Sequence, residues 1–141
     1  MINDMQTRVY ACYNKSEPVR MISSSGGMFY LLAKTVVNAG GVVFGARFNK
    51  DWNVEHGYCE TLEEIQSFMQ SKYVQSYIGD TYEKTKLFLE RGRVVLYSGT
   101  PCQINGLKLF LGKEYENLLA VDFICHGVPS PLVWRKYLLE I

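Results

Sequence analysis

No stretch of this chain stays apolar for the roughly 18 residues that a membrane-crossing helix needs, so no transmembrane helix is expected. Neither sign of charge is in excess: 15 Lys and Arg stand against 14 Asp and Glu, a net +1. That balance, without a basic stripe or polybasic run, argues against a nucleic-acid partner and against adsorption to a membrane surface. The opening residues MINDMQTR lack a signal-peptide core. The four cysteines include no C-x-x-C and no close pair, which excludes a self-contained zinc ribbon and a secreted disulfide framework. Reduced thiols and a cytoplasmic location follow as the expectation. Repeats and low-complexity tracts are absent too, and 141 residues suit one domain.

What is present is concentrated between Arg93 and Pro131. Arg93–Ser98 is a short apolar run rich in β-branched and aromatic residues, the pattern of a strand covered on both faces. Gly99-Thr100-Pro101 breaks it, and Gln103–Leu111 then sets Ile104, Leu107, Phe110 and Leu111 on one helical face. Gly112 stops that helix. Leu118–Ile124 forms a second apolar run, and His126-Gly127-Val128-Pro129 breaks it in turn. Two strands joined by a helix are expected to lie parallel, with their carboxyl ends on the sheet edge where open α/β folds bind ligands. Cys102 stands just past the first strand and Cys125 closes the second, so neighbouring strands would bring the two thiols to one small volume.

The rest of the chain fits a mixed α/β domain with a partly parallel sheet and flanking helices. Arg8–Tyr13 reads as a first strand with Cys12 as a buried structural thiol. Ser23-Ser24-Ser25-Gly26-Gly27 opens a helix over Met28–Asn38: the serines are N-cap residues, and the glycines permit close approach of a ligand to the backbone. Free amides and the helix dipole there would make an anion cradle of the kind that holds a pyrophosphate; the alternative is a plain cap with a flexible lead-in. The helix is apolar around most of its circumference, a sign of burial on several sides. Val42–Phe48 and Trp52–Cys59 read as an antiparallel hairpin. Within it His56 and Cys59, three residues apart, face opposite ways and so share no metal, His56 being a half-exposed sheet histidine. Thr61–Glu64 and Asp80–Glu83 are capping-box patterns, the first for a short helix to about Phe68 and the second for a helix ended by Gly92. Between them Gln70–Ser76 is oddly polar. Lys72 and Tyr73 suit either a phosphate and ring contact or a solvated connection, and composition does not decide. The last helix, from Pro131, leaves Trp134, Tyr137, Leu138 and Ile141 unshielded, which points to a fragment of a longer polypeptide.

Cys102 follows Pro101 at a helix start, a position that favours thiolate. Cluster ligation, redox-active thiols and inert packing all remain open on the residues alone, because two thiolates fall short of the four an iron-sulfur cluster normally takes.

The phrases SSSGG, GGVVFGARF, SKYVQS, SGTPCQINGLKLFL and VDFICHGVPSPLVWRKYL, in this order from about Arg8, resemble the coenzyme F420 hydrogenase/dehydrogenase beta subunit family. The resemblance implies a flavin- and iron-sulfur-dependent oxidoreductase that passes electrons between a 4Fe-4S cluster, FAD and a hydride-accepting substrate, a deazaflavin coenzyme being one candidate. It implies Cys102 and Cys125 as cluster ligands, with the remaining ligands outside this chain. Ser24, Ser25, Gly26 and Gly27 with Lys72 and Tyr73, and the turn residues Gly99 and Thr100, become candidate flavin contacts. His126 would hydrogen-bond a cluster sulfur or cap the following helix. The implied partners are a ferredoxin-like domain or electron-transfer subunit and the remainder of the same polypeptide; alone, the fragment is expected to be inactive. Two readings from other classes stand beside this one: a cofactor-free interaction domain that kept the fold, and a thiol oxidoreductase using Cys102 and Cys125.

Overall fold

The computed structural model describes residues 7–141. Its centre is a four-stranded sheet in the order β2-β1-β3-β4, built from β1 (Val42–Phe48), β2 (Val54–Cys59), β3 (Val95–Gly99) and β4 (Leu118–Asp122). The β1–β2 hairpin is antiparallel, pairing Val43 with Cys59 through Phe48 with Val54. β1 and β3 are parallel, as are β3 and β4, the latter in register from Val95↔Leu118 to Gly99↔Asp122. The α/β architecture and the βαβ unit expected from the sequence are therefore observed.

Val42–Phe44 of β1 and Val95–Tyr97 of β3 are buried on both faces, which explains the apolar runs there. One face packs Val43, Cys59 and Leu96 under α2 (Met28–Asn38) and a 3-10 turn (Glu64–Phe68), through Ala33, Val36, Ile65 and Phe68. The other packs Phe44, Val95 and Tyr97 under α3 (Thr81–Glu90) and α4 (Pro101–Leu111), through Leu89, Ile104, Leu107 and Leu111. Leu107 is fully buried, and a leucine so placed contributes about 1.5–3 kcal/mol. Both crossover helices lie on one face while β1, β3 and β4 advance in one direction, as two crossovers of the same hand require. Three helices, α2, α3 and α4, accordingly begin at the edge where the parallel strands end. A short helix, α1 (Glu17–Met21), precedes them, and α5 (Pro131–Glu140) lies outside the layers with no buried residue.

Several local expectations give way to tertiary structure. Arg8–Tyr13 forms no strand: Val9, Tyr10 and Tyr13 are exposed and Cys12 with them, because six weakly alternating residues do not specify a register against the sheet. Met28–Asn38 has the expected bounds but buries only Ala33 and Val36, its outer side facing solvent. Its N-cap is Gly27, at φ 72°, and no serine side chain caps it. The pattern at Thr61–Glu64 gives a Thr61–Glu64 side-chain bond and a 3-10 turn in place of an α-helical cap, and Asp80 pairs with Lys84 instead of capping α3. A true capping box occurs at Thr100 and Gln103, where Gln103 also serves a buried network. β4 ends at Asp122, so Cys125 lies in the following loop and does not close the strand. His56 is buried, for the reason given next.

Candidate functional site at the carboxyl edge of the sheet

The segment from Met69 to Ile78 has no regular structure, yet it crosses the carboxyl edge and ties together residues far apart in sequence. At one end the Ser71 amide and hydroxyl donate to Ser24 Oγ (2.8 and 3.1 Å), and Gln70 Nε2 donates to the Ile22 carbonyl (3.4 Å). The two polar stretches singled out from sequence, SSSGG and the run around Lys72, are thus neighbours. Ser76, further along, reaches the buried interior. At its far end Tyr77 makes a one-residue parallel bridge with Glu55: its N–H donates to the Val54 carbonyl and its carbonyl accepts from His56.

The serine-glycine loop is held from behind. Asn14 N–H donates to the Gly26 carbonyl (2.7 Å) and Arg20 Nη1 to the Asn14 carbonyl (2.6 Å). A Cβ on Gly26 would sit 3.1 Å from the Cys12 carbonyl, and Gly27 combines a left-handed φ with Asn14 at 3.2 Å, so both glycines answer first to this chain's own packing. The N–H groups of Ser24, Ser25, Gly26 and Gly27 donate to no acceptor among the described residues. These four consecutive amides lead into α2, and unpaired amides before a helix have the chemistry that an anion pairs with. Lys72 turns inward, its ammonium donating to the carbonyls of Ser67, Met69 and Gln70, and burial lowers it to about 8. The Tyr73 ring is exposed.

Behind the edge lies a network that no sequence pattern announced. His56 Nε2 is 3.0 Å from the Ser98 carbonyl, which only accepts, so that nitrogen carries the proton; Nδ1 then accepts from the Ser76 hydroxyl at 2.9 Å. Ser76 Oγ in turn accepts from Gln103 Nε2 (2.8 Å), and Gln103 Oε1 accepts from the Thr100 amide (3.0 Å). The network fixes the first turn of α4 to β2 and β3, and the absent side chain of Gly99 leaves the room that Gln103 and His56 fill. His56 also stacks on Tyr97, centroids 5.4 Å apart.

Burial lowers the His56 pKa below 6.5, against a smaller raising effect of the bond to Ser98. The folded protein then binds fewer protons than the unfolded chain in mildly acidic solution. Its contribution to stability is complete above the unfolded value near 6.5 and is lost as pH falls towards the lowered folded value. Urea unfolding is expected to show stability falling on the acid side by up to about 1.4 kcal/mol per pH unit from this group. His56→Gln, which still donates and accepts but does not titrate, should flatten that slope; an equal slope in the variant would assign it to other groups.

Cys102 and Cys125 are both exposed and unpaired. Cys102 lies in the first turn of α4, its Sγ 3.1 Å from Thr100 Oγ1. Cys125 Sγ accepts from the backbone N–H of Gly127 (3.4 Å), whose φ of 107° suits glycine. The strands that lead to them are paired neighbours, and each cysteine stands three residues past its member of the Gly99↔Asp122 pair. The described residues contain no cluster of three or more potential metal ligands. No helix among them is long and apolar enough to cross a membrane.

A mixed, partly parallel sheet covered by helices, with unpaired amides, free thiols and a polar loop at its carboxyl edge, defines the chain as an α/β domain. Residues 92–141 match the family model for the carboxy-terminal part of the beta subunit of coenzyme F420 hydrogenase/dehydrogenase, so the resemblance seen in the sequence holds over the segment that carries Gly99, Thr100, Cys102 and Cys125. The whole fold is similar to a chain of the F420-reducing [NiFe] hydrogenase complex from Methanosarcina barkeri, with a TM-score of 0.70 at 18% identity. The match covers 99% of this chain and 53% of that one, so this chain spans about half the length of its structural relative. Comparison with curated proteins gave no match.

Proposed function

We propose that this chain forms the flavin-binding part of an oxidoreductase that exchanges electrons between FAD and an iron-sulfur cluster on the way to a hydride-accepting substrate. The observation that carries the reading is the row of free amides from Ser24 to Gly27, joined through Ser71 to the segment bearing Tyr73. The residues fit the flavin. The amides suit a pyrophosphate, Ser24 Oγ keeps its own hydrogen for a phosphate oxygen while accepting from Ser71, and the exposed Tyr73 ring offers an apolar face to an aromatic group. Bound FAD would supply hydride transfer joined to single-electron transfer, which no side chain can perform. The α4 N-terminus adds the Thr100 and Gly99 turn as a second stretch of backbone at the same edge.

The cluster is a different matter. Cys102 and Cys125 are two thiolates where four are normally needed, so the described residues do not make a complete site, and their role is to contribute two ligands of a centre finished by other residues. An electron-transfer subunit or ferredoxin-like domain is the partner this division of labour calls for.

The test is purification without oxygen of the protein expressed from its whole reading frame, with FAD and iron measured together. Ser25→Glu sets a carboxylate beside the free amides at an exposed position, and FAD occupancy should fall at least about tenfold with folding intact. Unchanged occupancy would remove the cradle. Cys102→Ala and Cys125→Ala should each lose the cluster's iron, whereas Cys12→Ala and Cys59→Ala should keep it. If Cys102→Ala abolishes activity yet keeps iron, the thiol-oxidoreductase reading replaces this one.

A further inference from the structure

At the same edge, beyond Tyr77, the hairpin turn and α5 enclose a groove of about 340 Å³ that none of the roles above uses. Such a volume lies at the lower end of the range of small-molecule sites, about 300–1,000 Å³. Its lining combines the buried Val74 with the Tyr77 and Trp134 rings. Trp134 is a fixed wall: its indole N–H donates to the Trp52 carbonyl at 2.7 Å, and its ring stacks on Phe48 and on Tyr137. Tyr77 is different. Its backbone is pinned to β2 while the residue is 76% exposed, so its ring is left uncovered at the groove.

The charges in the groove are unequal. Glu55 is neutralised by Arg47, whose Nε and Nη2 both lie 3.1 Å from its carboxylate. Arg135, on the other wall, makes no ion pair or hydrogen bond among the described residues. A ring laid on Tyr77 would therefore meet one uncompensated cation, and the complementary group is a carboxylate held by the guanidinium fork.

We infer that this groove binds a small planar aromatic carboxylate, its ring against Tyr77 and its carboxylate on Arg135. The site rests on the cavity, the fixed Trp134 wall, the uncovered Tyr77 ring and the free guanidinium, and it stands whether or not the serine loop holds a flavin.

Of the chain's two tryptophans, Trp134 lines the groove while Trp52 only accepts its indole N–H through the backbone carbonyl, so the Trp134 indole N–H resonance reports on the groove. Titration of the ¹⁵N-labelled protein with 2-naphthoate should shift the Trp134 indole signal to saturation, with a Kd of about 1 mM or below. Arg135→Gln should weaken binding about tenfold, and 2-naphthamide, the same ring without the charge, should bind about tenfold more weakly to the original protein and no worse to the variant. Tyr77→Ala should weaken both probes. If that change also disturbs the bridge to β2, the Arg135 variant and the amide still decide. The inference is overturned if naphthoate gives no saturable shift, or if it binds equally to the original protein and Arg135→Gln.

Discussion

Gly41→Ala is expected to destabilise the protein by about 3 kcal/mol or more, the upper end of what overpacking does. A Cβ built at Gly41 lies 2.5 Å from Val36 Cγ1, 2.6 Å from the Val94 carbonyl and 2.8 Å from the Val36 carbonyl. Two of these three neighbours are backbone. Neither can retreat, because the Gly41 amide donates to the Val36 carbonyl (2.8 Å) and the Val42 amide to the Val94 carbonyl (2.9 Å). Arg93 fastens the same crossing, its guanidinium donating to the carbonyls of Gly40 and Gly41. The end of α2, the start of β1 and the approach to β3 meet here with no room for a methyl group. The neighbouring Gly40 supplies the control: nothing lies within 4 Å of its Cβ position, and only its φ of 73° opposes alanine, at about 1–2 kcal/mol. Urea unfolding followed by far-UV circular dichroism compares the pair. A domain stable by about 5–15 kcal/mol loses a large share of that in Gly41→Ala, with a fall in Tm of about 10 °C. Gly41→Ala no worse than Gly40→Ala would show that the crossing relaxes.

Tyr97→Ala should cost about 3–5 kcal/mol, the range for truncating a large buried aromatic. Tyr97 is fully buried at the centre of β3, stacked on Phe44 at 5.5 Å and on His56 at 5.4 Å and tilted against Tyr82 at 5.8 Å. Its hydroxyl meets Thr81 Oγ1 at 2.9 Å, and because Thr81 gives its own hydrogen to the Ile78 carbonyl, the Tyr97 hydroxyl is the donor. Tyr97→Phe isolates that bond. Thr81 keeps one partner, so the loss should be about 1 kcal/mol. The alanine variant has a second consequence at the site: His56 loses the ring beneath it and gains access to water, so its contribution to the acid-side stability slope should shrink. A Tyr97→Ala protein within about 1 kcal/mol of Tyr97→Phe would mean that the core closes over the cavity.

The strands and crossover helices were legible because burial on two faces leaves a mark in sequence. Val42–Phe44 and Val95–Tyr97 are apolar runs, and glycines at 92 and 112 with φ near 70° end the crossover helices α3 and α4. Local bonding patterns were less reliable. Asp80 had a better partner in Lys84 than in the α3 amides, and Ser24 a better one in Ser71 than in α2. Lys84 is a local partner one helical turn on, which competes with the cap, whereas Ser71 is brought to Ser24 by packing across 47 residues. Arg8–Tyr13 failed as a strand because so weak an alternation does not specify a register against the sheet.

By itself the sequence determined the α/β class, the parallel βαβ unit and the resemblance carried by GTPCQ and CHGVPSP, since each is written in contiguous residues. Only the tertiary structure decided that Ser24 meets Ser71, that His56, Ser76 and Gln103 form one buried network from three elements, and that Tyr77 and Arg135 line one groove. Those pairs are separated by 20 to more than 50 residues, and no local period encodes them. They come together because hydrophobic burial fixes the layers first, and the polar groups left at the sheet edge must then find partners among whatever the packing has placed beside them.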